Sequence, residues 1–340
     1  MKMNLENRIA YLDWLRILAM LMIITIHSPM PNIGTNGLVL SSISFLMAPG
    51  IGLFFMVSGA LLLPTNDNMK PFLKHRLGKV VWPTVIWSLF YLSISWLKHG
   101  TSPYEIAKSL LSIPLTAQGN GILWFMYTLI GLYILTPIIS PWLQKASQRE
   151  IAFILALWGI TMSYPLIDGI LHINDTKTGL LYYESGYAGY FLLGYYLRKY
   201  HHNNRFTIIA LFILIPITIA AWVKIKHFPV DFYSVFWLLS ILTSMTATGW
   251  FLFFKQSVKG FSSKLLATIS NSCFGIYLIH IFVMRQIIWK WDLISQFGGI
   301  IQIILTVVLT TSISFVLVYA ISYLPISYYL IGFRQKSKLS

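Results

Sequence analysis

The stretch Tyr11–Ser28, YLDWLRILAMLMIITIHS, decides the fold. A bilayer core of roughly 30 Å takes about 20 mostly apolar residues of helix, and this run fits that length. Three ionisable side chains interrupt it: Asp13, Arg16 and His27. At ~100° and ~1.5 Å per residue, the eleven steps from Arg16 to His27 return to within ~20° of the same face, ~16 Å further along the axis. Asp13, three residues before Arg16, can pair with it across one turn. An ionisable side chain at mid-membrane costs roughly 2.5–3.5 kcal/mol on insertion scales, so three on one helix imply a polar interior or a water-filled cavity. Two readings stay open on chemistry alone. Asp13 and Arg16 form a pair that merely orients the helix, or the face is catalytic and His27 accepts a hydroxyl proton near neutral pH.

The rest of the chain supports a membrane protein. Of 340 residues, 56% are hydrophobic and 10% charged, which does not fit a soluble chain of two domains. Apolar stretches recur at about 10–30, 38–63, 79–98, 121–143, 150–171, 180–198, 206–226, 232–254, 265–287 and 297–330, the last long enough to tilt or to break near Pro325. Tyr104–Leu115 is too short to span and reads as an interfacial or re-entrant helix. Lys2 and Arg8 precede the first run as in a signal peptide, but Asp13 and Arg16 interrupt it and no small-residue cleavage site follows, so it reads as an uncleaved span. No repeat or long hydrophilic insertion divides residues 1–340. The expected fold is a single all-α polytopic transmembrane bundle of about ten helices, with a core over about residues 8–330.

Charge gives the expected sidedness. With the N-terminus inside, the inner segments hold seventeen Lys and Arg and the outer ones seven, among them Lys98 and Arg285. Short loops follow the positive-inside rule, so both termini are expected to be cytoplasmic. The net charge of +15 is scattered through these loops, with no basic helix to suggest nucleic acid. A lone cysteine, Cys273, excludes an internal disulfide, and no Cys/His pattern suggests a metal.

Three further segments carry chemistry. PFLKHRLGKVVWP, read as a cytoplasmic stretch ahead of the third span, holds Lys74, Arg76 and Lys79. It is open to two readings, a topology signal or a phosphate-binding patch. SNSCFGIYLIHIF puts Tyr277 and His280 three residues apart on one helix face, at a depth close to that of His27. The two histidines either line a common cavity or His280 is a satisfied helix–helix contact. Glu184, in YYESGYAGYFLLGYY, is a candidate at the same depth, although the glycines and aromatics around it equally suggest close helix packing. Ser58 and Gly59 in FFMVSGALL read as a small-residue packing site.

Taken together, these segments resemble the acyltransferase family 3 membrane proteins. The matching motifs are YLDWLRILA with a histidine eleven residues after Arg16, FFMVSGALLL, the basic segment leading to WP, LWFMYTLIGLYILTPII, GYFLLGYYL and CFGIYLIHIF, in family order. The resemblance implies a ten-helix enzyme of the bacterial cytoplasmic membrane. Such an enzyme takes an acyl group, usually acetyl from cytoplasmic acetyl-CoA as co-substrate, and passes it to a hydroxyl of a surface or lipid-linked glycan. It implies His27 as the catalytic histidine, Arg16 as its motif partner, and Arg76 with Lys79 as the element that binds acyl-CoA. Lysine at the second place keeps the charge but loses bidentate geometry. Asp13, Tyr277, His280 and Glu184 are then candidates for the acceptor cavity. The resemblance is to the short branch without an appended extracytoplasmic domain, such as enzymes that acetylate enterobacterial common antigen. No permanently bound cofactor is implied. A different class, a glycan exporter or flippase built on the same bundle, would need a polar path along most of its length rather than polar groups clustered between Arg16 and His27.

Overall fold

The computed structural model describes residues 8–30, 37–115, 117, 123–171, 186–200, 217–218, 238–260 and 262–335. These fold as helices: α1 Ala10–His27, α2 Gly37–Met47, α3 Pro49–Leu62, α4 Met69–His99, α5 Pro103–Ser112, α6 Trp124–Lys145, α7 Gln148–Leu171, α8 Ala188–Lys199, α9 Ile241–Ser257, α10 Lys264–Gln286, the short α11 Asp292–Ser295, α12 Gly299–Ile321 and α13 Ser327–Ile331. Seven described segments are long and apolar enough to cross a bilayer: Ala10–His27, Ser42–Leu62, Met69–His99, Trp124–Lys145, Gln148–Asp168, Lys264–Lys290 and Gly299–Ile321. The expected sixth and eighth spans are represented by α8 and α9, whose described lengths of 12 and 17 residues are shorter than a span. Of the expected seventh, 206–226, only residues 217–218 are described.

Local chemistry explains most of the boundaries. Ser263, Ser240 and Ser102 accept hydrogen bonds from the backbone N–H groups of Leu266, Thr243 and Glu105, at 3.2, 3.2 and 3.3 Å, capping α10, α9 and α5. α4 stops where Gly100 takes φ 58°, the left-handed turn that glycine adopts without strain. Pro49 starts α3 immediately after α2, dividing the expected second span into two helices. The expected last span also breaks: α12 ends at Ile321, and a turn containing Pro325 leads to α13.

One expectation changes. The basic stretch before the third span is not a loop, because α4 runs unbroken for 31 residues from Met69. Arg76 and Lys79 therefore lie three apart on one helix, their side chains half-buried, with Lys74 exposed. The turn of α4 after them contains Pro83, which offers no N–H to the Lys79 carbonyl; Gly332 packs against that carbonyl, where a Cβ would lie within 2.8 Å.

The core forms around α1, α3, α6, α8, α9 and α10. Its closest approach is α3 against α8, where glycines replace side chains. A Cβ on Gly59 would collide with the Phe191 carbonyl, and one on Gly194 with the Met56 carbonyl. The small-residue packing read from both segments is thus present. Basic side chains hold the helix ends nearby. Arg198 donates to the Ala60 carbonyl. Lys255 donates to the carbonyls of Leu197 and Tyr200 at 2.5 and 2.8 Å, satisfying acceptors that the end of α8 leaves open.

Candidate active site

α1 and α10 lie side by side, and matching faces of the two helices carry the ionisable groups. At one end Asp13 is buried, with 4% of its side chain exposed. Arg8 Nε and Nη2 donate to its two carboxylate oxygens at 3.0 and 2.5 Å, and Ser270 Oγ donates to Oδ1 at 2.6 Å. Arg8 Nη1 also donates to Asn271 Oδ1 at 2.8 Å. The expected Asp13–Arg16 ion pair is present, but as the looser of two. Arg16 Nη1 stands 3.8 Å from the carboxylate, beyond hydrogen-bond range, and the hydrogen bonds come from Arg8. The reason is geometric, since an arginine arriving from before the helix can present its planar fork to both oxygens.

Arg16 makes no hydrogen bond among the described residues. It lies within electrostatic reach of Cys273 on α10 and of Tyr133 on α6. Tyr133 is also within reach of Arg76. Arg16 and Arg76, 60 positions apart in sequence, thus both lie within electrostatic reach of one phenol. Lys79 is within reach of Arg76, and its Nζ donates to His75 Nε2 at 3.3 Å.

At the other end of α1, His27 is the last helical residue. Its Nδ1 lies 2.8 Å from the Ile23 carbonyl, an acceptor only, so Nδ1 carries the proton and Nε2 keeps the lone pair. His280 repeats the arrangement, with Nδ1 donating to the Tyr277 carbonyl at 2.6 Å. The two imidazoles meet edge to face with centroids 5.4 Å apart, and Tyr277 lies 5.7 Å from His280. The sequence-predicted pair of histidines is therefore brought together, but not around one cavity. His27 and Tyr277 line a cavity of about 540 Å³. His280 stands behind them, wholly buried, and its Nε2 has no hydrogen-bond partner among the described residues.

The cavity runs between α1, α4 and α10. Trp124 and Tyr91 form aromatic walls, and Lys98, His99, Arg285 and Gln286 stand at its mouth. Tyr91 Oη donates to the Leu278 carbonyl at 2.7 Å, which spends its proton on holding α4 to α10. Sequence reasoning missed this rim. Lys98 and Arg285 figured there only as minority charges of the outer side, and the convergence of the last turns of α4 and α10 has no local signature. Glu184 lies outside the described residues. Among the described residues no three His, Cys, Asp or Glu side chains gather as a metal site needs.

An acyltransferase-domain family model matches residues 9–319, a range that contains both clusters and the whole of α1. The chain belongs to acyltransferase family 3. It is accordingly a multi-pass membrane acyltransferase, and its family segment spans every helix from α1 to most of α12. No curated protein and no solved structure matches the chain.

Proposed function

We propose that this family member is an O-acyltransferase of the bacterial cytoplasmic membrane, with ten spans and both termini cytoplasmic. It moves an acetyl group from cytoplasmic acetyl-CoA to a hydroxyl of a surface or lipid-linked glycan. The observation that carries this reading is the division of α1: a histidine with its Nδ1 held by a backbone carbonyl at the wall of a cavity at one end, and towards the other Arg16, within electrostatic reach of the same phenol as Arg76. Arg16, Arg76 and Lys79 hold the phosphates of coenzyme A, for which arginine's paired donors are suited. The extended pantetheine arm carries the thioester towards His27.

His27 Nε2 then takes the proton of the acceptor hydroxyl as the oxygen attacks the thioester carbonyl. The tetrahedral intermediate collapses with cleavage of the carbon–sulfur bond, and the proton on Nε2 passes to the departing thiolate. The alternative order makes Nε2 itself the nucleophile, giving an acyl-imidazole that the hydroxyl then attacks. His280, edge-on to His27 and not at the cavity wall, acts through His27 and is a positioning residue.

Comparison of surface-glycan mass spectra between cells that carry the gene and cells that lack it tests the reaction. A base-labile increment of one acetyl group that depends on the gene is expected. Identical glycan spectra, with the protein shown to be in the membrane, would remove acetylation of a surface glycan as the function.

A further inference from the structure

The cavity at His27 is not electrically neutral. Its mouth is built from the last turns of α4, which supplies Lys98 and His99, and of α10, which supplies Arg285 and Gln286. Lys98 Nζ donates to Gln286 Oε1 at 3.2 Å, a neutral partner that leaves the ammonium charge in place. The Arg285 guanidinium lies over the Trp289 ring, 5.8 Å from its centroid, which orients the group without neutralising it. Among the described residues the ion pairs both belong to Asp13, and none of the residues that line the cavity is acidic. Both rim cations are exposed, so they remain hydrated and available to a ligand.

Topology does not account for these charges. In the proposed orientation the mouth opens on the outer side, where the positive-inside rule calls for few cations. Two of the seven outer Lys and Arg nonetheless meet at one opening. Arg285 is also close enough to His27 and Tyr91 to be felt electrostatically by both. A volume of about 540 Å³ falls within the roughly 300–1,000 Å³ of pockets that enclose a small ligand.

We infer that the acceptor is anionic, a saccharide bearing a carboxylate or a phosphate near the hydroxyl to be acylated. Arg285 and Lys98 grip the anion at the rim, and this fixes the sugar with its hydroxyl towards His27. Arginine offers two parallel donors to either oxyanion, so carboxylate and phosphate share the site chemistry. The inference rests on the reading of this cavity as the acceptor site of a transferase.

The full chain in lipid nanodiscs, titrated calorimetrically with p-nitrophenyl β-glucuronide, glucose 1-phosphate and p-nitrophenyl β-glucoside, provides the test. At least one anionic probe is expected to bind about tenfold or more tightly than the neutral glucoside, as charge-assisted hydrogen bonds require. Arg285→Gln should remove most of that preference, Arg285→Lys should restore part of it, and His27→Ala should leave it intact. Preference for the glucuronide alone assigns a uronic acid acceptor, and preference for the phosphate alone a phosphate-linked one. Equal affinity for the three probes, including none for any, overturns the inference. So does an anion preference that survives Arg285→Gln in protein of unchanged gel-filtration profile. Competitive displacement of the anionic probe by coenzyme A, with a raised KM for acetyl-CoA in Arg285→Gln, would also overturn it by giving the rim to the donor. Retained, Arg285-dependent anion binding in a protein whose deletion leaves surface-glycan acetylation unchanged would support the anion site while refuting the transferase reading of His27.

Discussion

Asp13 and Arg16 stand one turn apart on α1, yet only Asp13 is hydrogen-bonded among the described residues, and substitution should separate them. Asp13→Ala removes a carboxylate that receives two hydrogen bonds from Arg8 and one from Ser270, and it leaves the Arg8 guanidinium without its counter-charge. Hydrogen bonds to charged groups contribute about 1.5–3 kcal/mol each and are not additive, and removal of one member of a buried ion pair costs about 3–5 kcal/mol. Arg8 keeps 20% of its side chain exposed and retains its bond to Asn271, so water recovers part of the loss. The expected cost is about 3 kcal/mol, at the low end of that range. Arg16→Gln breaks only a 3.8 Å contact with no hydrogen bond and should cost less than about 1 kcal/mol. Equilibrium unfolding by SDS titration in mixed micelles measures both, and an Arg8/Asp13 double-mutant cycle should give a coupling of about 2 kcal/mol or more. Equal destabilisation by the two substitutions would refute the division, because it would make Arg16 part of the structural clamp.

Further outcomes follow from other parts of the fold. Gly194→Ala drives a methyl group into the Met56 carbonyl at the α3–α8 contact and should cost about 3 kcal/mol, whereas Gly131→Ala meets open space and should leave the unfolding midpoint unchanged or slightly raised. Arg76→Gln should raise the KM for acetyl-CoA about tenfold with kcat little changed, and Arg76→Lys should recover part of the loss; an unchanged KM would remove Arg76 from the donor site. His280→Ala withdraws the ring that packs edge-on against His27 and should lower kcat about tenfold while leaving both KM values near wild type, as a positioning residue should. A shift in acceptor KM alone would instead make His280 part of the binding wall.

How far the sequence could be read follows from the range of the interactions involved. The shared face of Arg16 and His27 and that of Tyr277 and His280 depend only on helical periodicity, and the structure turns both faces towards the α1–α10 contact. The glycines of the α3 and α8 segments also speak locally, since a missing side chain signals close approach before the partner is known. Pairing across the fold was less legible. Asp13 had a neighbour of the right charge three residues on, but the better geometry came from Arg8 and from Ser270, 257 positions away. The basic stretch before the third span looked like a loop because its charges belong outside the bilayer, yet helix propensity carries α4 through it. The cationic rim needed two helix ends to meet, and no periodicity within either helix reports that.

The role of His27 is tested most directly by single-turnover transfer of labelled acetyl from acetyl-CoA by purified wild-type protein and His27→Ala, with acceptor glycan from the native surface. His27→Ala is expected to abolish transfer while acetyl-CoA affinity and the unfolding midpoint stay close to wild type, since Arg16 lies eleven residues before His27 on α1 and Arg76 and Lys79 lie on α4. Transfer at an undiminished rate by His27→Ala would contradict that role.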